Sequence, residues 1–229
     1  MNNILNIEHA FYINLASRTD RRIQAEEQLK SVGIHAQRFN AIESEDGRIG
    51  CSMSHLQCLQ TARENNWDHV LICEDDIEFL DPELFKTQLN KFLQKHHSWD
   101  VILFAGDNFS PYKKIDNTCI RVSRCQTTTG YLVKKHYYNK LINNIAEGVH
   151  KLQAGPYDPF YFAIDRYWIQ LQKADHWYLI IPLSVVQRKG YSDIEKKIVN
   201  RETRMKDIKI NTQRSLAKKI IRYIYNKIK

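Results

Sequence analysis

Three consecutive acids, Glu74, Asp75 and Asp76, close the apolar run Val70-Leu71-Ile72-Cys73, and the apolar pattern resumes at Ile77. Adjacent like charges repel one another, and a divalent cation relieves that repulsion. Mg²⁺ and Mn²⁺ take carboxylate oxygens and keep positions open for phosphates, so acids at a strand end suit a metal that grips a nucleotide diphosphate. Ligands of open α/β sheets bind just outside the carboxyl ends of the strands. The same residues also read as a solvated turn leading to the helix start at Asp81-Pro82, because acidic turns are common.

The elements that must carry these acids follow from periodicity. Residues 70–73 have the continuous apolar pattern of a strand buried on both faces. His9 to Leu15 reads as a first buried strand, and Gln37 to Ile42 as a second. Between them Ala25, Leu29 and Val32 mark a helix capped by Ser17 or Thr19 and closed by Gly33. After a polar loop, residues 43–49, Ser52 is the expected N-cap of a helix carrying Met53, Leu56, Leu59 and Ala62. Asp81 and Pro82 form an N-cap and N1 pair for the stripe Phe85, Leu89, Phe92 and Leu93. Asp100 to Phe104 is another buried strand; residues 105–117 read as an exposed turn region, and Thr118 to Val122 as an outer strand. Residues 127–133 read as a strand entering the helix of Tyr137 to Ile145. Gly148 to Pro159 is the longest candidate mobile loop. A helix starts near Asp165 with Ile164, Trp168 and Leu171, and residues 178–186 form a last extended stretch broken by Pro182. Strands alternating with helices predict an α/β fold, a doubly wound, mostly parallel sheet flanked by helices.

The 229 residues suit one α/β domain with appendages, and 43% hydrophobic content excludes wholesale disorder. The net charge of +8 is concentrated at the C-terminus, where residues 214–229 hold six basic side chains and no acid. The nearly neutral body argues against nucleic-acid binding. Five cysteines without a Cys-x-x-Cys pair fit reduced, packing thiols in a cytoplasmic protein. No signal-like N-terminus and no membrane-length apolar span is visible.

Several motifs occur together in a fixed order. Phe11-Tyr-Ile-Asn-Leu15 is followed by Arg18, Asp20 and Arg21, then by Gly50-Cys51-x-x-Ser54-His55, then by Leu71-Ile-Cys-Glu-Asp-Asp-Ile77. Thr129-Gly-Tyr-Leu132, Ile164-Asp-Arg166, Pro182-Leu183, Gln187 and Ser192-Asp-Ile194 continue the series. Taken together they resemble glycosyltransferase family 25, which includes lipopolysaccharide-biosynthesis and collagen galactosyltransferases. The resemblance implies a GT-A type, Rossmann-like fold over residues 1–200, a UDP-galactose or UDP-glucose donor, and inversion at the anomeric carbon. It also implies a Mn²⁺ or Mg²⁺ cofactor, held by Asp76 and Glu74; Glu-Asp-Asp stands here where the family pattern would have Asp-x-Asp. A glycan, lipooligosaccharide or glycoprotein hydroxyl is the implied acceptor.

A metal neutralises the departing diphosphate, which leaves the protein the task of taking the acceptor proton. Asp165, on the far side of the sugar ring, is the expected base, against the alternative that it merely caps its helix. Asn14, Arg18 and Arg21 at the end of the first strand are candidates for uridine or phosphate, with Ser54, Glu74, Asp75 and Gln187 completing the expected nucleotide-sugar contacts. Ser54 and His55 are expected in the first turn of a helix that could face an anion, although His55 also reads as a hydrogen-bonded structural histidine. Asp193 reads as a turn acid. A silent sugar-nucleotide or glycan-binding module is the alternative to an enzyme, and a diphosphate hydrolase would need more metal ligands than the sequence shows near Glu74. Leu216, Ile220, Ile221, Ile224, Tyr225 and Ile228 make an apolar stripe along the basic tail of residues 201–229. Its residues 214–229 could rest on an anionic membrane surface or dock on the domain.

Overall fold

The computed structural model describes residues 7–155 and 159–208. The chain opens with β1 (Ala10–Asn14), α1 (Thr19–Ser31), β2 (Gln37–Asn40), α2 (Gly47–Glu64) and β3 (His69–Glu74). Next come β4 (Ile77–Phe79), α3 (Pro82–Lys95), β5 (Val101–Leu103), β6 (Asp107–Asn108) and β7 (Tyr112–Lys114). β8 (Cys119–Val122), β9 (Cys125–Gln126), β10 (Gly130–Lys134), α4 (Tyr138–Ala154), α5 (Ile164–Tyr167) and α6 (Ile169–Ala174) follow. The last elements are β11 (Trp177–Ile180), β12 (Val185–Gln187), β13 (Gly190–Ser192), β14 (Lys197–Val199) and α7 (Glu202–Lys206).

An eight-stranded sheet in the order β2-β1-β3-β10-β5-β11-β8-β7 forms the middle layer. β1 runs parallel to β2 and β3, and β11 parallel to β5, while β10 and β8 run against their neighbours. Alternation along each strand divides the core in two. Ala10, Tyr12, Leu71, Cys73, Ile102 and Tyr178 meet α1 and α3 on one face. Phe11, Ile13, Val70, Ile72, Val101 and Trp177 meet α2 and α4 on the other. Both faces are thus buried, which explains why the central strands read as unbroken apolar runs. Each fully buried large side chain, such as Phe85, Phe92, Trp168 or Trp177, contributes about 1.5–3 kcal/mol over leaving it in water.

Local signals at α3 behave as expected. Asp81 accepts the Leu84 N–H at 2.9 Å, with Pro82 at the first position. Asp81→Ala should cost about 1 kcal/mol and lower Tm by about 2–4 °C in a thermal melt, because an N–H at the helix start loses its acceptor.

Other boundaries differ from the sequence pattern. At α1 the cap position is Arg18, and neither Ser17 nor Thr19 caps. α2 begins before Ser52, at Gly47, because Asp46 accepts the Arg48 N–H at 2.9 Å; Ser52 is buried inside the helix. Residues 105–108 are buried and enter β6, so the 105–117 region is not wholly exposed. β10 begins at Gly130, and Thr127 before it has φ 77°. α4 continues through Gly148 to Ala154, which removes most of the expected loop; a Cβ on Gly148 would sit 3.1 Å from the Phe162 carbonyl, so glycine lets the following segment pack close. The helix expected near Asp165 is split into α5 and α6. Residues 201–208 pack on the domain through buried Met205, whose sulfur accepts the Gln187 N–H. The apolar stripe beginning at Leu216 and the basic run of residues 214–229 lie outside the described residues.

Candidate active site

Register brings the ends of β1 and β3 together, with Ile13 opposite Glu74. Beside them lies a cavity of about 390 Å³ lined by Arg21, Cys51, Ser54, His55, Glu74, Asp75, Asp76 and Gln187, among others. The β13–β14 hairpin closes one side through Ser192, Asp193, Ile194 and Lys196. It is fastened to α1 where Arg18 bonds Asp193 at 2.8 Å and Arg21 donates to the Tyr191 carbonyl.

The acids occupy two separate environments. Asp75 accepts from Asn14 Nδ2 at 2.8 Å and from Arg21 Nη1 at 3.0 Å. Burial pushes its carboxyl up, and those two partners pull against the shift. Asn14 is itself buried and accepts from Arg38 Nε at 3.0 Å, so it holds the acid turn to the sheet instead of lining the cavity. Asp76 Oδ2 accepts from Gln187 Nε2 at 2.9 Å, a bond made possible by the antiparallel pairing of β12 with β4, which sets Gln187 opposite Ile77. Burial, then the charge of Glu74, raises the Asp76 carboxyl to about 7; the Gln187 bond and Arg21 oppose the rise. Asp76 Oδ1 and Gln187 Oε1 are both buried with no hydrogen-bond partner. Unpartnered oxygens on two side chains that touch each other are the donor type a hard divalent cation takes.

Glu74 turns the other way. Its Oε1 accepts from the Thr128 hydroxyl at 2.6 Å and lies 3.5 Å from His55 Nε2 and 3.6 Å from Cys51 Sγ. Burial works to raise its carboxyl, but His55, Thr128 and Cys51 outweigh it and hold the group below its usual range. The expected pair of metal acids therefore faces two different sets of partners.

The Gly50-Cys51-x-x-Ser54-His55 motif is explained by helix geometry. Ser54 Oγ donates to the Gly50 carbonyl at 2.8 Å and accepts the Ile42 N–H at 2.9 Å. A Cβ on Gly50 would lie 2.4 Å from the Ile42 carbonyl oxygen, so only glycine lets α2 come this close. Gly50 and Ser54 dock the helix, and Cys51 and His55, one residue on, face Glu74. Ser54 lies well inside α2, and its hydroxyl serves this docking, so the expected anion site at a first turn is not formed.

Asp165 stands apart. It does not line the cavity, and it does not cap α5, whose N-cap is Ala163; its Oδ2 accepts the Thr127 N–H at 3.1 Å. Burial raises its carboxyl, against the pull of that bond. The next residue, Thr128, reaches Glu74. Arg18 lies outside the lining, spent on Asp20 and Asp193. Cys51, Thr128, Arg188 and Lys196 were not expected at the site. Arg188 and Lys196 sit in the basic stretch after Gln187, a visible charge signal; the role of Thr128 had none.

The sequence model of "Glycosyltransferase family 25 (LPS biosynthesis protein)" matches residues 45–158, which include α2 and the acid turn. The chain belongs to glycosyltransferase family 25. "Glycosyltransferase 25 family member" proteins of Drosophila pseudoobscura pseudoobscura and Anopheles gambiae are each 24% identical over 173 residues, 60% of this chain. Those residues make up 27% and 29% of the two relatives, so the chain matches under a third of their length. Among solved structures, a glycosyltransferase involved in glycosylation of the major capsid of PBCV-1 aligns over 86% of this chain and 96% of its own (TM-score 0.46, 10% identity). A Drosophila β1,4-galactosyltransferase 7 mutant, in complex with manganese, UDP-Gal and xylobiose, aligns over 86% of this chain and 72% of its own (TM-score 0.40, 12% identity). The family 25 chain has the mostly parallel α/β sheet flanked by helices expected of it, with β10 and β8 reversed. Among the described residues no helix is long and apolar enough to cross a membrane.

Proposed function

We propose that this family 25 chain is a metal-dependent, inverting glycosyltransferase that moves a hexose, galactose or glucose, from a UDP-sugar to a glycan, lipooligosaccharide or glycoprotein hydroxyl. The observation that carries the reading is the pair of buried, unpartnered oxygens, Asp76 Oδ1 and Gln187 Oε1, on two residues that line a cavity whose size suits a small ligand. Mn²⁺ or Mg²⁺ bound there would neutralise the charge that gathers on the β-phosphate as the sugar departs. Arg21, bonded to Asp75 and 3.9 Å from Asp76, holds the acid turn in place and brings positive charge to the diphosphate. Asp165, the base expected from the sequence, holds the Thr127 N–H outside the cavity lining, so its part in this reading is to position the Thr127-Thr128 turn that carries the Glu74 contact.

A donor panel read by UDP release, with Mn²⁺ and with EDTA, tests this. Release from UDP-galactose or UDP-glucose should appear with Mn²⁺, fall to background with EDTA, and return when Mn²⁺ is restored. Activity indifferent to chelation would remove the metal from the reading, and the absence of release from every donor would remove the transferase.

A further inference from the structure

Cys51, His55 and Glu74 converge on one point of the cavity wall, with Sγ, Nε2 and Oε1 all within 4.8 Å of one another. We propose that they form a second cation site, selective for a thiophilic ion of the Zn²⁺ class and separate from the oxygen-lined corner at Asp76. Two of the three separations match those around a tetrahedral ion. His55 Nε2 and Glu74 Oε1 are 3.5 Å apart, beyond the ordinary 2.7–3.2 Å of an N–H···O bond. Two ligands on one tetrahedral Zn²⁺ are separated by about 3.3 Å for nitrogen and oxygen and about 3.5 Å for sulfur and oxygen, given its usual bond lengths. The observed separations are 3.5 and 3.6 Å.

The surroundings are those of a built site. Cys51 and His55 lie one turn apart on the face of α2 that Gly50 and Ser54 fix in place. The other ring nitrogen of His55, Nδ1, is 2.9 Å from the buried Tyr131 hydroxyl, which fixes the ring and leaves Nε2 to the ion. The Thr128 hydroxyl orients Glu74. A sulfur, a nitrogen and an oxygen make a softer donor set than Mg²⁺ or Mn²⁺ prefers. On binding, the Cys51 thiol gives up its proton to solvent, and thiolate and carboxylate together balance the dication. Three protein ligands leave the fourth position to a water or to a hydroxyl of the molecule in the cavity.

The test uses the reduced, metal-free full chain titrated with Co²⁺ as a spectroscopic stand-in for Zn²⁺. The expected result is a tetrahedral Co²⁺ spectrum with a near-ultraviolet thiolate charge-transfer band, bleached by Zn²⁺. The band should vanish in Cys51→Ser and persist in Asp76→Asn. It should also persist in Cys119→Ser, which disrupts the His96, Asp116 and Cys119 cluster elsewhere on the sheet. Tyr131→Phe should weaken binding by about 10–100-fold. X-ray absorption of the Zn²⁺-loaded wild-type chain needs no variant and should show one sulfur at about 2.3 Å. No band, a band that survives Cys51→Ser or is lost in Asp76→Asn or Cys119→Ser, or a sulfur-free shell overturns the proposal. None of these readouts depends on sugar transfer, so failure of the UDP-release assay would leave them standing.

Discussion

Asp76→Asn should reduce UDP release from the donor by about 10³-fold or more while leaving the protein folded. The size of the effect follows from the charge that has to be met. Metal stabilisation of a departing diphosphate is worth several kcal/mol, and about 4 kcal/mol corresponds to about 10³ in rate. Asparagine is close to aspartate in shape, so the contact with Gln187 and the antiparallel pairing of β12 with β4 can persist. It offers a neutral amide where the cation needs an anionic oxygen. The fold should not suffer. Asp76 is mostly buried beside two other acids and has one unpartnered oxygen, and removing such a charge relieves repulsion without opening a cavity. The measurement pairs initial rates with thermal melts in EDTA: a Tm at or above that of wild type, together with lost turnover, separates a chemical defect from a folding defect. Retained turnover would move the donor's metal away from this corner.

The parts of this site that were legible in the sequence are those fixed by strand ends. An apolar run ending in acids could be read at Glu74 to Asp76, and Asn14 ends the neighbouring strand with Arg21 a few residues on. What the sequence hid was direction and convergence. β10 inserts antiparallel between β3 and β5, yet a short strand buried on both faces looks the same whichever way it runs. Ser52 resembled a cap because serine favours that position, but Asp46 lay upstream with an N–H in reach and extended α2 by more than a turn. Gly148 resembled a loop residue, although its real work is to let residue 162 approach α4. The same limit applied to Glu74. Its sequence neighbours suggested a metal pair with Asp76, while its actual partners come from α2 and from Thr128, at positions no local pattern connects.

Arg21→Ala tests the acid turn from its cationic side and should be the most destabilising change at the site. The guanidinium contacts Asp75 at 3.0 Å and Asp76 at 3.9 Å, and it donates to the Tyr191 carbonyl on the hairpin. Both members of the Arg21 and Asp75 pair are largely buried, with side chains 15% and 10% exposed. Removing one partner of a buried pair costs about 3–5 kcal/mol, because the other is left as an uncompensated charge. For a chain of this size each kcal/mol lowers Tm by about 2–4 °C. Two further outcomes identify the cause as charge and not lost packing. Arg21→Lys should recover part of the loss, since it returns the charge without the fork that reaches both Asp75 and the hairpin. Mn²⁺ should stabilise the alanine variant more than it stabilises wild type, because the cation then replaces the positive charge that Arg21 brings to Asp75 and Asp76. If Mn²⁺ shifted the two melts equally, Arg21 and the metal would not be acting on the same acids, and the cation would have to be placed elsewhere in the cavity.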